Sequence, residues 1–169
     1  MKTEEKANEY PKNVNMKFIL LTHERELSKG TNTGRLVKQI LGDDVEIITW
    51  KRKVPDERLV HLLATKQAAL LFPKQDSDLV NKDLKCFEYL VILDSTWQEA
   101  RKMFNRSGYL NQAERVSLSI TKPSEFKLRR NQIEGGLSTI ECVIQILRQY
   151  NANEKVVLLE DLFLSFNQK

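Results

Sequence analysis

The sequence predicts an α/β domain, built as a mostly parallel sheet with helices on both faces. Three observations carry that prediction. Five short runs rich in Val, Ile, Leu and Phe recur along the chain, and amphipathic helical patterns fall between several of them. Most of these runs are continuously apolar rather than alternating, as in strands covered on both sides. At 169 residues the chain reads as a single domain, and a chain of this size buries about 70% of its unfolded surface, enough for a core without staples.

Taken in order, the opening MKTEEKANEYPKN is charged and closed by Pro11, so residues 1–15 are expected to form a mobile tail ahead of a domain at 16–169. KFILLT (17–22) is the first predicted strand and TGRLVKQIL (33–41) the first helix. VEIITW (45–50) follows as a strand. DERLVHLLATK (56–66) reads as a helix with His61 on its face, and AALLFP (68–73) as the third strand. YLVILD (89–94) runs into WQEARKMFN (97–105), where Trp97, Ala100, Met103 and Phe104 form one apolar stripe and leave Gln98, Arg101 and Lys102 outside. RVSLSI (115–120) is the last strand, and two helices beginning at 138 and 153 end the chain.

Several function classes have no support. No apolar run approaches the roughly 20 residues of a membrane span, and the opening has no signal-peptide core, so a cytosolic protein without a membrane partner is expected. Cys86 and Cys142 make no CxxC pair, and each is expected to be a buried or idle thiol. His23 and His61 lie far apart with no HxxxH or HExxH spacing, so no metal is expected. The P-loop spacing, a GxGxxG after a strand and a GxSxG elbow are all missing. A net charge of +4 and a pI near 9.0 hint at an anionic partner. Lys51-Arg52-Lys53, Arg101-Lys102 with Arg106, and Lys127-Leu128-Arg129-Arg130 concentrate that charge, although a basic run by itself is usually a solvated face.

In an open parallel sheet ligands bind beyond the carboxyl ends of the strands, which directs attention to four loops. They are HERELSKGTNTGR, PKQDSD, DSTW and RRNQIEGGLST. In DSTW, Thr96 and Glu99 have the spacing of a capping box, and Trp97 can serve either as core or as a ligand contact. Asp94 is harder to explain, because an acid ending an apolar strand needs a partner. That partner is either nearby loop amides or a substrate for which Asp94 acts as base or orienter. In EGGLSTIE, Ser138 and Glu141 repeat the box, while Gly135 and Gly136 permit close backbone approach and free amides suit an anion. Asn32, Thr33, Gly34 and Arg35 open another helix, suited to an anion or simply capped. His23 has no assigned role.

Five blocks, in order, resemble one family. ILDSTWQEARKM is similar to the signature of the DTW-domain family, and TNTGRL (31–36), LLFPKQD (70–76), KLRR (127–130) and EGGLSTIE (134–141) resemble its other blocks. The resemblance covers residues from about 18 to 150. It implies a tRNA-uridine aminocarboxypropyltransferase that moves the 3-amino-3-carboxypropyl group of S-adenosylmethionine to N3 of a uridine, and a SPOUT-like, knotted fold. It makes Asp94 the candidate base or orienter, with Thr96 and Trp97 shaping the site. Donor contacts are expected from Phe72, Pro73, Asp76, Leu93 and Asp94, and from Gly135, Gly136, Leu137, Ser138 and Thr139. Lys127, Arg129, Arg130, Arg101, Lys102 and Arg106 are expected on tRNA phosphates, and Arg35 on phosphate or on the donor's carboxylate. The implied chemistry needs no metal and no obligate protein partner. Many family members carry a cysteine-rich segment ahead of these blocks, whereas no cysteine precedes Cys86 here. A SPOUT-type methyltransferase using the same donor, or a nucleotide- or RNA-binding module without catalysis, are the alternatives.

Overall fold

A computed structural model describes residues 16–72, 84–118, 124–126, 137–149 and 153–168. The expected tail at 1–15 lies outside them. Among the described residues twelve elements follow one another: β1 (Lys17–Thr22), α1 (Glu24–Leu27), α2 (Gly34–Leu41), β2 (Val45–Thr49), α3 (Glu57–Ala64), β3 (Ala68–Leu71), β4 (Tyr89–Asp94), α4 (Trp97–Asn105), α5 (Gly108–Asn111), β5 (Arg115–Val116), α6 (Thr139–Gln149) and α7 (Asn153–Asn167), besides two short 3-10 turns. The strands form one sheet in the order β2-β1-β4-β3-β5, and every pairing is parallel.

Continuous apolarity in the strands has the predicted cause. Successive side chains alternate faces, and Phe18, Leu20, Leu90 and Ile92 enter one core with α2, α6 and α7. Ile19, Leu21, Val91 and Leu93 enter a second core with α3, α4 and α5. Helices therefore cover both faces of the sheet. The stripe predicted on α4 is buried at Ala100, Met103 and Phe104, while Gln98, Arg101 and Lys102 face solvent.

Three boundaries differ from expectation. VEIITW ends as a strand at Thr49, because Trp50 turns its indole to donate a 2.9 Å hydrogen bond to Ser107 Oγ. The last strand pairs only over Arg115–Val116, with Ser117 and Leu118 past its end and 119–120 outside the described residues. An extra helix, α1, starts after β1 because His23 caps it, Nδ1 accepting from the Arg25 amide at 3.1 Å. Both cysteines are free thiols, Cys86 exposed and Cys142 half-buried against the first core. The knot remains an expectation of the resemblance, and residues 127–136 lie outside the described ones.

Candidate functional site at the carboxyl ends of the strands

The same alternation that sorts the two cores decides where Asp94 points. It continues the Leu90–Ile92 face of β4, as Thr22 continues the Phe18–Leu20 face of β1, and the two are register partners. Both therefore face α2 and α6. Asp94 is only 1% exposed, and its carboxyl meets three side chains from separate parts of the chain. Asn32 Nδ2 lies 3.0 and 2.9 Å from its two oxygens, Thr139 Oγ1 donates at 2.8 Å, and Thr22 Oγ1 lies at 3.2 Å. The partners are side chains, not the loop amides that the sequence also allowed.

Asn32 is the centre of this cluster. Its Nδ2 also donates to Glu26 Oε1 at 3.2 Å, so one amide hydrogen is shared by both Asp94 oxygens and the other serves a second buried carboxylate. Glu26, 3% exposed, is further paired with Lys29 at 2.8 Å. Asn32 Oδ1 accepts from the Arg35 amide at 3.1 Å and thereby caps α2. At the helix start that the sequence offered to an anion, the Arg35 amide is taken by the chain's own asparagine, and Asp94 lies beside it. Gly34 shows how closely they meet, because a Cβ added there would stand 2.4 Å from Asp94 Oδ2.

Burial pushes the Asp94 carboxyl above its ordinary value; hydrogen bonds from Asn32 and Thr139 pull against the rise, while the negative charge of Glu26 adds to it. Thr22 Oγ1 also lies 3.2 Å from the Leu20 carbonyl, and its one hydroxyl hydrogen can serve only one acceptor.

The DSTW run divides at the edge of the sheet. While Asp94 turns to the α2 and α6 side, Trp97 packs half-buried with the second core, its ring centroid 5.7 Å from that of Phe72, which in turn stacks on Phe104 at 4.2 Å. Leu93 belongs to that side too. Between them, Ser95 is 6% exposed and its hydroxyl has no hydrogen-bond partner. Thr96 and Glu99 form the complete capping box, with bonds of 3.1 and 2.9 Å. Burial works to raise the Glu99 carboxyl, but the Thr96 amide, with His23 and Lys29 nearby, outweighs it and holds the group below its usual range.

The loop before α6 also reaches Asp94. Thr139 supplies the bond just described, and the Ile140 amide donates to Thr33 Oγ1 at 3.2 Å, locking α6 against the start of α2. Ser138 departs from its predicted part. Glu141 Oε1 accepts from the Ser138 amide at 2.9 Å, but the Ser138 hydroxyl donates to the same oxygen at 2.8 Å rather than accepting from the helix. Leu137 lies instead beside Glu141, Ile144 and Phe163, at a cavity between α6 and α7.

Arg35 is exposed, but its guanidinium is engaged by the Gly30 and Asn32 carbonyls and lies over the Phe166 ring, 5.7 Å away. Arg101, Lys102 and Arg106 are exposed on and just after α4. Pro73, Asp76, Lys127, Arg129, Arg130, Gly135 and Gly136 lie outside the described residues. Thr22 and Glu26 were missed from the sequence, as was the role of Asn32 at the centre. The face of Asp94 was there to be read, since it follows the parity of Leu90 and Ile92. Among the described residues no cluster of His, Cys, Asp and Glu fits a metal ion, and no helix is long and apolar enough to cross a membrane.

A family model described as DTW domain matches residues 5–169. The chain is 28% identical over 143 residues to tRNA-uridine aminocarboxypropyltransferase 2 of Drosophila melanogaster, covering 81% of this chain and 57% of that protein. It is 23% identical over 159 residues to tRNA-uridine aminocarboxypropyltransferase 2 of Macaca fascicularis, covering 88% of this chain and 53% of that protein. The protein of the same name from Mus musculus is likewise 23% identical, over 158 residues. The chain thus spans just over half the length of these relatives. No solved structure matches it.

Proposed function

Because this chain belongs to the DTW-domain family, we propose that it transfers the 3-amino-3-carboxypropyl group of S-adenosylmethionine to N3 of a uridine in tRNA. One observation carries the proposal: three of the family-like blocks, TNTG, DSTW and LST, converge on the Asp94 carboxyl at the carboxyl ends of β1 and β4. The names of the relatives support the substrate class.

The residues fit such a donor on one side of β4. Phe72, Leu93 and Trp97 offer an apolar and aromatic wall, and the unpartnered Ser95 hydroxyl is a buried polar group that a ligand would satisfy. S-adenosylmethionine, when bound, supplies an alkyl group activated as a sulfonium, with a neutral thioether as leaving group. The chain's own contribution is positioning. Asp94, enclosed by the protein's own donors, holds the loops carrying Asn32, Ser95 and Thr139 in register, so its part is orientation, and the N3 imide proton passes to solvent water as the new N–C bond forms and methylthioadenosine leaves. Thr96 and Glu99 fix the start of α4, from which Trp97 projects. Arg101, Lys102 and Arg106, together with Lys127, Arg129 and Arg130, are assigned to tRNA phosphates, and Pro73, Asp76, Gly135 and Gly136 to the donor.

The co-product tests this reading. Incubated with S-adenosylmethionine and tRNA that lacks the modification, the protein is expected to release methylthioadenosine in step with alkylation of the tRNA. Release of S-adenosylhomocysteine would mean methyl transfer, and tRNA binding without donor consumption would mean a binding module. Either result overturns the proposal.

A further inference from the structure

Two basic groups far apart in sequence meet in the fold. Lys51, Arg52 and Lys53 leave the end of β2, while Lys102 and Arg106 sit one turn apart at the end of α4, and all five are exposed. The residue before Lys51 is Trp50, and the residue after Arg106 is Ser107. Those two are joined by the buried 2.9 Å hydrogen bond from the Trp50 indole to Ser107 Oγ, so the loop after β2 is pinned to the end of α4. On its other side Trp50 stacks on His23, with ring centroids 5.7 Å apart, and Arg25 follows His23 by two residues on α1. None of these six cations has a side-chain ion pair among the described residues, in contrast to Lys29, Arg58 and Arg148, which pair with Glu26, Glu46 and Glu160.

Like charges kept together without acidic partners cost self-repulsion, a cost that an anionic partner removes. The ends of β1, β2 and β4 lie at the carboxyl side of the sheet, where Asp94 and Ser95 also lie, and the Trp50–Ser107 bond ties the end of α4 to that side. The acids nearest in sequence, Glu24, Asp56 and Glu57, form no ion pair with these cations among the described residues, and the Asp56 carboxylate caps α3 on the Leu59 amide at 2.9 Å. We infer that Lys51, Arg52, Lys53, Lys102, Arg106 and Arg25 form one surface that takes the phosphodiester backbone of the tRNA substrate. The inference rests on the tRNA reading above and adds the β2 loop as a second arm of the RNA contact. It gives the Trp50–Ser107 bond a functional consequence, since that bond sets the spacing of the two arms.

The test is a tRNA titration across a range of salt concentrations for three proteins. One is the parent. The second carries Lys51→Glu, Arg52→Glu and Lys53→Glu. The third carries Lys17→Glu, Lys66→Glu and Lys155→Glu, an equal change of net charge at exposed positions on the amino ends of β1 and β3 and on α7. The β2-loop variant is expected to bind at least about tenfold more weakly at low salt, with a salt slope shallower by about 3. The control is expected to stay close to the parent. A parent that binds while the β2-loop variant matches it, or while both variants weaken equally, overturns this inference and leaves the proposed activity standing. A parent that does not bind tRNA overturns both.

Discussion

A carboxyl group buried to within 1% of full enclosure is the residue on which the site turns. Asp94 is kept there by Asn32, Thr139 and Thr22, and deprotonating it confines a charge close to Glu26 in a region with little water. The folded protein therefore retains this proton to a higher pH than the unfolded chain, whose aspartates titrate near the ordinary 3.8. With the folded value raised, the stability this proton contributes is full below the unfolded value and is lost as pH rises through the folded one. Denaturant titrations from about pH 4 upward are expected to show that loss in the parent and not in Asp94→Asn. Parallel pH profiles for the two proteins would contradict it. Much of this was legible in one residue, an acid ending a strand of Leu, Val and Ile. Its partners were not, because spacing in sequence does not say which hydroxyl or amide, from 45 to 72 positions away, will face it.

Among the elements, the closest approach in the site joins the first residue of α2 to the last residue of β4. Gly34 permits it, since any side chain there would meet the Asp94 carboxyl, which Asn32, Thr139 and Thr22 prevent from moving aside. Gly34→Ala is therefore expected to destabilise the protein by roughly 1–3 kcal/mol and to disturb donor binding, as calorimetry with and without S-adenosylmethionine would show. A variant as stable as the parent would mean that Asp94 can swing away, and the cluster would then be less rigid than its bonds imply. At this scale the sequence was most readable where order is local. The α4 capping box needs only residues three positions apart, and it formed as the spacing predicted. The α6 start obeyed the same spacing only in part, because Glu141 also accepts from Ser124 and from the Glu125 amide, and that tertiary load draws the Ser138 hydroxyl toward it. The short α1 escaped notice because its cap is a histidine, a weaker signal than Ser, Thr, Asp or Asn.

Across the whole molecule, a five-stranded parallel sheet divides the work between its faces. One face gathers the polar cluster around Asp94 beneath α2 and α6, and the other gathers Phe72, Leu93 and Trp97 with α4, so the DSTW run joins two environments at the edge of the sheet. That architecture was foreseeable from uninterrupted apolar strands alternating with amphipathic helices. Which face each side chain of DSTW would take was foreseeable only for Asp94, by parity within its strand, because Trp97 lies past the strand end where alternation no longer holds. The central claim, group transfer from the sulfonium donor to tRNA, is tested most directly by incubating the protein and unmodified tRNA with two preparations of S-adenosylmethionine, one labelled in the carboxyl carbon and one in the methyl. Carboxyl label in the tRNA, with no methyl label, is the expected result. Methyl label alone, or neither label on tRNA that the protein binds, would contradict it.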